Sequence, residues 1–125
     1  MDINIPEVVA EVRAAFERYE KALTTNDVPV LNEMFWASEH TVRFGLAENL
    51  YSGTEIAAHR AARNSVDLPR TLQKTRIVTF GRDCAVASTE FTRTESGKRG
   101  RQQQTWVRTP QGWRVVAAHV SFGDY

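Results

Sequence analysis

The sequence predicts an α+β domain in which two or three helices close one end of a curved antiparallel sheet, with the functional pocket between them. Three observations predict it. A helical apolar period runs through the N-terminal third, a strand period runs from Pro69 to the end, and one short strand and one further helix lie between. Helices segregated to one face of an antiparallel sheet define the class.

In chain order, Asn4 is placed to cap the first helix, with Glu7 reaching back to it and Pro6 tolerated in the first turn. Val8, Val12, Phe16, Tyr19 and Leu23 then recur at spacings of three and four as one apolar stripe. Thr24-Thr25-Asn26 ends that helix, and Asp27 caps a second whose Leu31, Met34 and Phe35 face inward. Thr41-Val42-Arg43-Phe44 reads as a short strand followed by a turn around Glu48-Asn49. Gly53 and Thr54 open an alanine-rich third helix running to about Asn64. Beyond Pro69 come strands over Leu72–Phe80, Cys84–Arg93, Arg101–Thr109 and Trp113–Phe122, separated by turns at Gly81-Arg82-Asp83, Ser96-Gly97 and Pro110-Gln111-Gly112. A single domain spans residues 1–125.

Composition removes several classes of function. The chain has 125 residues, 42% hydrophobic and 25% charged, which is ordinary for a globular protein. No stretch approaches the ~20 apolar residues of a membrane span. The N-terminus lacks the basic flank and apolar block of an export signal, and the lone Cys84 cannot form an intrachain disulfide, so the expected compartment is the cytoplasm. A net charge of +1 argues against nucleic acid as a partner, and the cluster Arg93, Lys98, Arg99 and Arg101 reads as a solvated hairpin tip. His40, His59 and His119 have no ligand spacing, so neither metal nor another cofactor is expected. Ser52, Ser88, Ser121 and Cys84 lack an adjacent base signature for covalent catalysis.

The residues that could carry chemistry each have two readings. Tyr19 lies in the apolar stripe, either as a core tyrosine bonded to a backbone carbonyl or as a phenol aimed into the pocket. Arg43 interrupts its strand on the face shared with Thr41 and Gly45, directed to solvent or to the pocket. Ile56, Arg60 and Arg63 share a helical face, so both arginines lean toward the pocket rim if Ile56 plugs the core. If the alanine faces pack on the sheet instead, they lie in water. An unbroken register from Pro110-Gln111 sets Trp106 opposite Val115, Gln104 opposite Ala117 and Gln102 opposite His119. Gln104, Trp106 and His119 then face the pocket. Val116, Ala118 and Val120 with Thr105 and Val107 form an apolar outer face suited to a homodimer. A bulge anywhere in this hairpin swaps the assignment.

The helix–strand–helix–meander order, with the ending Trp113-Arg114-Val115-Val116-Ala117-Ala118-His119-Val120-Ser121, resembles the nuclear transport factor 2-like superfamily, a cone-shaped, cystatin-like roll that includes SnoaL-like cyclases and ketosteroid isomerases. Thr41-Val42-Arg43-Phe44-Gly45, Ala47-Glu48-Asn49-Leu50-Tyr51, His59-Arg60-Ala61-Ala62-Arg63 and Gln104-Thr105-Trp106-Val107 are similar to a narrower group, the AtzH-like and HpxZ-like proteins encoded beside amidase genes in cyanuric-acid and oxalurate catabolism. The resemblance implies a pocket-facing Tyr19 and Arg43 as the catalytic pair; the helical face and the strand register add Arg60, Arg63, Gln104, Trp106 and His119 as expected substrate contacts. It implies a small hydrolase that acts on a compact anionic urea such as 1,3-dicarboxyurea and releases allophanate. A non-catalytic partner of an amidase and an isomerase or cyclase are the alternatives. The isomerase reading lacks its usual inward Asp, since the strands offer only Asp83, in a turn, and Glu90.

Overall fold

The stripe of the first helix is buried as its spacing predicts. In the computed structural model, which describes residues 1–63 and 68–125, α1 (Pro6–Thr24) buries Val8, Val12, Phe16, Tyr19 and Ala22. Each large apolar side chain so buried is worth roughly 1.5–3 kcal/mol. Leu23 is only partly buried and packs at the edge of that core. Asn4 does not cap this helix: Ile5 holds the cap position without a side-chain bond. Asn4 adopts a left-handed backbone (φ 60°) and pairs with the sheet instead. Its N–H donates to the Thr79 carbonyl at 3.1 Å, and its side-chain oxygen accepts from the Thr79 N–H at 2.9 Å.

Asp27 does cap α2 (Val28–Met34), accepting from the Val30 N–H at 3.3 Å. Leu31, Met34 and Phe35 are all buried, as expected. The following strand, β1 (Val42–Phe44), folds back on a second short strand that the sequence reading takes for a turn, β2 (Asn49–Tyr51). Three residues are too few for a period to register. Ser52 caps α3 (Gly53–Ala62), accepting from the Glu55 N–H, while Glu55 accepts from the Tyr51 N–H. The predicted end of this helix at Asn64 lies outside the described residues. The meander is β3 (Arg70–Phe80), β4 (Cys84–Arg93), β5 (Arg99–Thr109) and β6 (Gly112–Phe122), two strands beginning two residues earlier than predicted.

These six strands form one sheet in the order β2-β1-β6-β5-β4-β3, antiparallel except where β1 runs parallel to β6. The hairpin of β5 and β6 begins as predicted, with Trp106 opposite Val115, but the next pair is Thr105 with Ala117. Val116 is therefore an extra residue, and the bulge it makes shifts everything beyond it by one. Gln104 meets Ala118, Gln103 meets His119 and Gln102 meets Val120. The expected face assignment is corrected accordingly: Ala118 and Val120 turn to the helix-covered side, while Ala117 and His119 turn outward. Among the described residues no helix is long and apolar enough to cross a membrane.

Candidate functional site

One row across the concave face builds the floor of the site. Arg43 of β1 aligns with Ala118 of β6, Gln104 of β5, Ala87 of β4 and Ile77 of β3. The alanines are short, so a hollow is left between the sheet and the helices, with Arg43 and Gln104 on either side of Ala118. The result is a cavity of about 210 Å³, lined by Tyr19, Arg43, Glu48, His59, Arg63 and Gln104 among others. At roughly 30 Å³ per water that is room for about seven waters, the scale of a small polar molecule.

Tyr19 reaches this hollow from the buried face of α1 and is 4% exposed. Its ring stands edge-on to Trp106 at 6.2 Å and tilted to Phe35 at 6.0 Å, contacts that fix the plane of the phenol. Trp106 is fully buried and outside the cavity lining, donating its indole N–H to the Gln104 Oε1 at 3.2 Å. It supports Tyr19 and Gln104 rather than contacting a ligand. With its oxygen engaged, Gln104 has its NH₂ to offer the cavity.

On α3 the inward reading is the correct one: Ile56 and Arg60 are buried and Arg63 half-buried, while Ala58, Ala61 and Ala62 are exposed. Arg63 lines the cavity. Arg60 lies behind it, with its guanidinium over the Phe35 ring at 4.9 Å and Nη1 donating to Asn32 Oδ1 at 3.2 Å. Among the described residues Arg63 makes one long contact, Nη2 to Asn26 Oδ1 at 3.4 Å. Burial first, then the charge of Arg43, holds both guanidinium groups below the usual arginine range, with Tyr19 pulling the other way. The Nε atoms of Arg60 and Arg63 and the Nε2 of Gln102 are buried and meet no acceptor among the described residues. All three are donors.

His119 is corrected by the bulge. It is exposed and outward by register, edge-on to Phe44 at 6.0 Å, and still borders the cavity. The sequence reading also missed three contributors. Glu48 bonds Arg43 at 2.9 Å and lies 3.4 Å from His59, and both line the cavity. Gln102 lines it too, its oxygen accepting from Arg70 at 2.8 Å. The signal was available for Gln102 once the bulge is placed, because Val120, opposite it, faces inward. Glu90 lies on the other side of the sheet from the buried Thr89, and Asp83 bonds Arg108 in its turn, so neither strand carboxylate enters the hollow. Among the described residues no cluster of His, Cys, Asp and Glu could hold a metal ion.

A curved sheet wrapped on helices over a small polar hollow is the nuclear transport factor 2-like, cystatin-like fold. Its solved relatives include a superfamily member from Salmonella enterica serovar Typhimurium LT2, 23% identical over 95% of this chain and 93% of that one, with a TM-score of 0.76. Within that class the chain belongs to the AtzH-like family, which it matches over residues 1–124. It is also similar to a protein with unknown function from Pectobacterium atrosepticum SCRI1043, at 62% identity over 98% and 96% of the two chains with a TM-score of 0.95. A cystatin-like fold protein from Burkholderia xenovorans LB400 is 46% identical over 100% and 98%, also with a TM-score of 0.95. No curated protein matches the chain.

Proposed function

We propose that this protein is a small decarboxylating amidohydrolase that converts an N-carboxylated urea, such as 1,3-dicarboxyurea, to allophanate and carbon dioxide. One observation carries the reading: among the described residues, the lining offers two unpartnered buried donors, Arg63 Nε and Gln102 Nε2, in a volume that admits only a compact molecule. A buried guanidinium without a carboxylate partner is costly until an anion meets it. Arg43 binds one carboxylate through its planar fork, and Arg63 with Gln102 receives the other. Tyr19 hydrogen-bonds the reacting group and supplies or relays the proton that the departing nitrogen needs. Carbamates lose carbon dioxide readily, so positioning and one proton suffice without a nucleophile or cofactor.

Tyr19→Phe removes one oxygen and keeps the ring packing, so the variant folds and turnover falls by about 10²–10⁴-fold. Arg43→Lys keeps the charge but loses the fork and weakens both binding and rate. The measurement is carbon dioxide release from freshly generated dicarboxyurea, against the uncatalysed background. A second reading, an accessory partner of an amidase, is favoured by Leu46 and Tyr51, which are 57% and 54% exposed around the β1–β2 hairpin. Wild-type turnover in both variants, with a coexpressed amidase losing activity when this protein is absent, would select that role instead.

The outer face offers a row in register, Val42, Ala117, Thr105, Val86 and Val78, all half-buried. This row replaces the one expected from the sequence and is the proposed homodimer face. Val86→Glu places a charge at its centre and yields monomer by light scattering. An unchanged dimer would move the interface elsewhere.

A further inference from the structure

Among the described residues, Glu48 is the one carboxylate in the cavity lining, and it is held from several sides. Its Oε1 accepts from Arg43 Nη1 at 2.9 Å and lies 3.4 Å from His59 Nε2, while Oε2 accepts from the Ala47 N–H at 3.1 Å. Gly45 permits the approach, because a Cβ there would sit 1.9 Å from Oε1. Burial pushes the Glu48 carboxyl up, but the bonds from Arg43 and the Ala47 N–H, with the charges of Arg43 and His59, outweigh it and hold it below the usual range. The carboxylate is thus ionised where it faces the imidazole. The His59 side chain is 34% exposed, so it touches both cavity and solvent.

Resting on the decarboxylating reading, we propose that His59, held by Glu48, takes up a proton as the anion binds and delivers it to the departing nitrogen. The charged and titratable groups around it are Tyr19 on α1, Arg43 on β1, Arg60 and Arg63 on α3, Arg70 on β3, Arg93 on β4 and His119 on β6. Those cations repel a charge placed at His59, and Glu48 is the one carboxylate among the described lining residues that attracts it. A bound dianion neutralises Arg43 and Arg63 and reverses that balance, so the imidazole gains its proton when substrate is present. Nε2 faces Glu48, which makes Nδ1 the nitrogen that donates.

The step balances. The bond between the carboxyl carbon and the urea nitrogen breaks, and the carbon leaves as carbon dioxide. The electron pair goes to nitrogen, which takes the proton from His59, and His59 regains one from water. One proton is consumed as a dianion becomes a monoanion and a neutral gas. Tyr19 then acts as relay or hydrogen-bond donor, and His59 is the source.

Malonate is the probe. Calorimetric titration in two buffers of different ionisation enthalpy reads the protons taken up on binding. Wild type takes up a proton, and His59→Gln binds malonate without uptake. In the decarboxylation assay His59→Gln turns over on the order of 10²-fold more slowly. It also loses a limb of the pH–rate profile that Tyr19→Phe retains. Should His59→Gln fail to fold, Glu48→Gln carries the test, with uptake reduced. Wild-type uptake and turnover in His59→Gln would overturn the proposal, as would malonate binding by wild type without uptake. Uptake that depends on His59, with no carbon dioxide released by wild type, would overturn the decarboxylating reading alone and leave His59 as an anion-coupled proton site.

Discussion

Arg70 and Arg63 both line the same cavity, yet their surroundings differ in kind. Arg70, with its side chain 4% exposed, donates to both oxygens of Glu20 at 2.9 and 2.7 Å and to Gln102 at 2.8 Å, and lies over the Phe91 ring at 4.4 Å. Among the described residues Arg63 has a single long contact, with an asparagine, and a buried Nε that meets no acceptor. On β3 the buried guanidinium has a resident carboxylate, whereas on α3 Arg63 has none among the described residues. Burial alone does not separate these two arginines; the carboxylate that Arg70 has, and Arg63 lacks among the described residues, does.

That contrast breaks most visibly in stability. Arg70→Met leaves Glu20 facing a buried wall without its cation and costs about 3–5 kcal/mol in urea unfolding. Arg63→Met removes a desolvated, poorly partnered charge and leaves stability unchanged or raised. Equal losses in the two variants would erase the distinction. Next in size is ligand binding. Malonate raises the melting temperature of wild type, and Arg43→Ala or Arg63→Met each forfeits roughly 1.5–3 kcal/mol of its binding free energy, about tenfold or more in Kd. A full shift in either variant would place the anion elsewhere.

The smallest effect sharpens the picture of Arg43. Glu48 is held below the usual carboxylate range, so its pairing contributes fully above the ordinary glutamate value. That contribution fades as pH falls through the lowered folded value. Glu48→Gln therefore lowers the neutral plateau slightly and flattens the acid limb of the stability profile, so that variant and wild type converge at low pH. An acid limb identical to wild type would show that the pair adds nothing to folding.

How far the sequence reveals all this depends on whether a signal is local. The α1 stripe and the Asp27 cap are local, and both are as the spacing says. The capping pattern of a small polar residue followed three later by Glu occurs at Asn4 and again at Ser52. It caps only at Ser52, because the edge of β3 competes for Asn4. Arg43, on a strand of three residues, is placed inward by a parallel neighbour distant in sequence, which no local period reports. His119 and Ala118 exchange faces through one extra residue, and nothing in Val115-Val116-Ala117 marks which of them is extra. Glu48 and His59 meet only because two segments converge on Arg43, so their pairing is invisible until the chain is folded.

The two irregularities of the sheet lie on different strands, at Val116 in β6 and at Lys74 in β3, where a lysine adopts a left-handed backbone (φ 53°). Each gives its strand one residue more than its neighbour, and the surplus length is taken up as bend. Removing Val116 would leave Thr105 against Ala117 and every lining side chain on its present side, while straightening the strand beneath them. The capacity of the hollow is therefore set by a difference in backbone length between adjacent strands. A one-codon deletion would shallow it while leaving every residue that touches its contents in place.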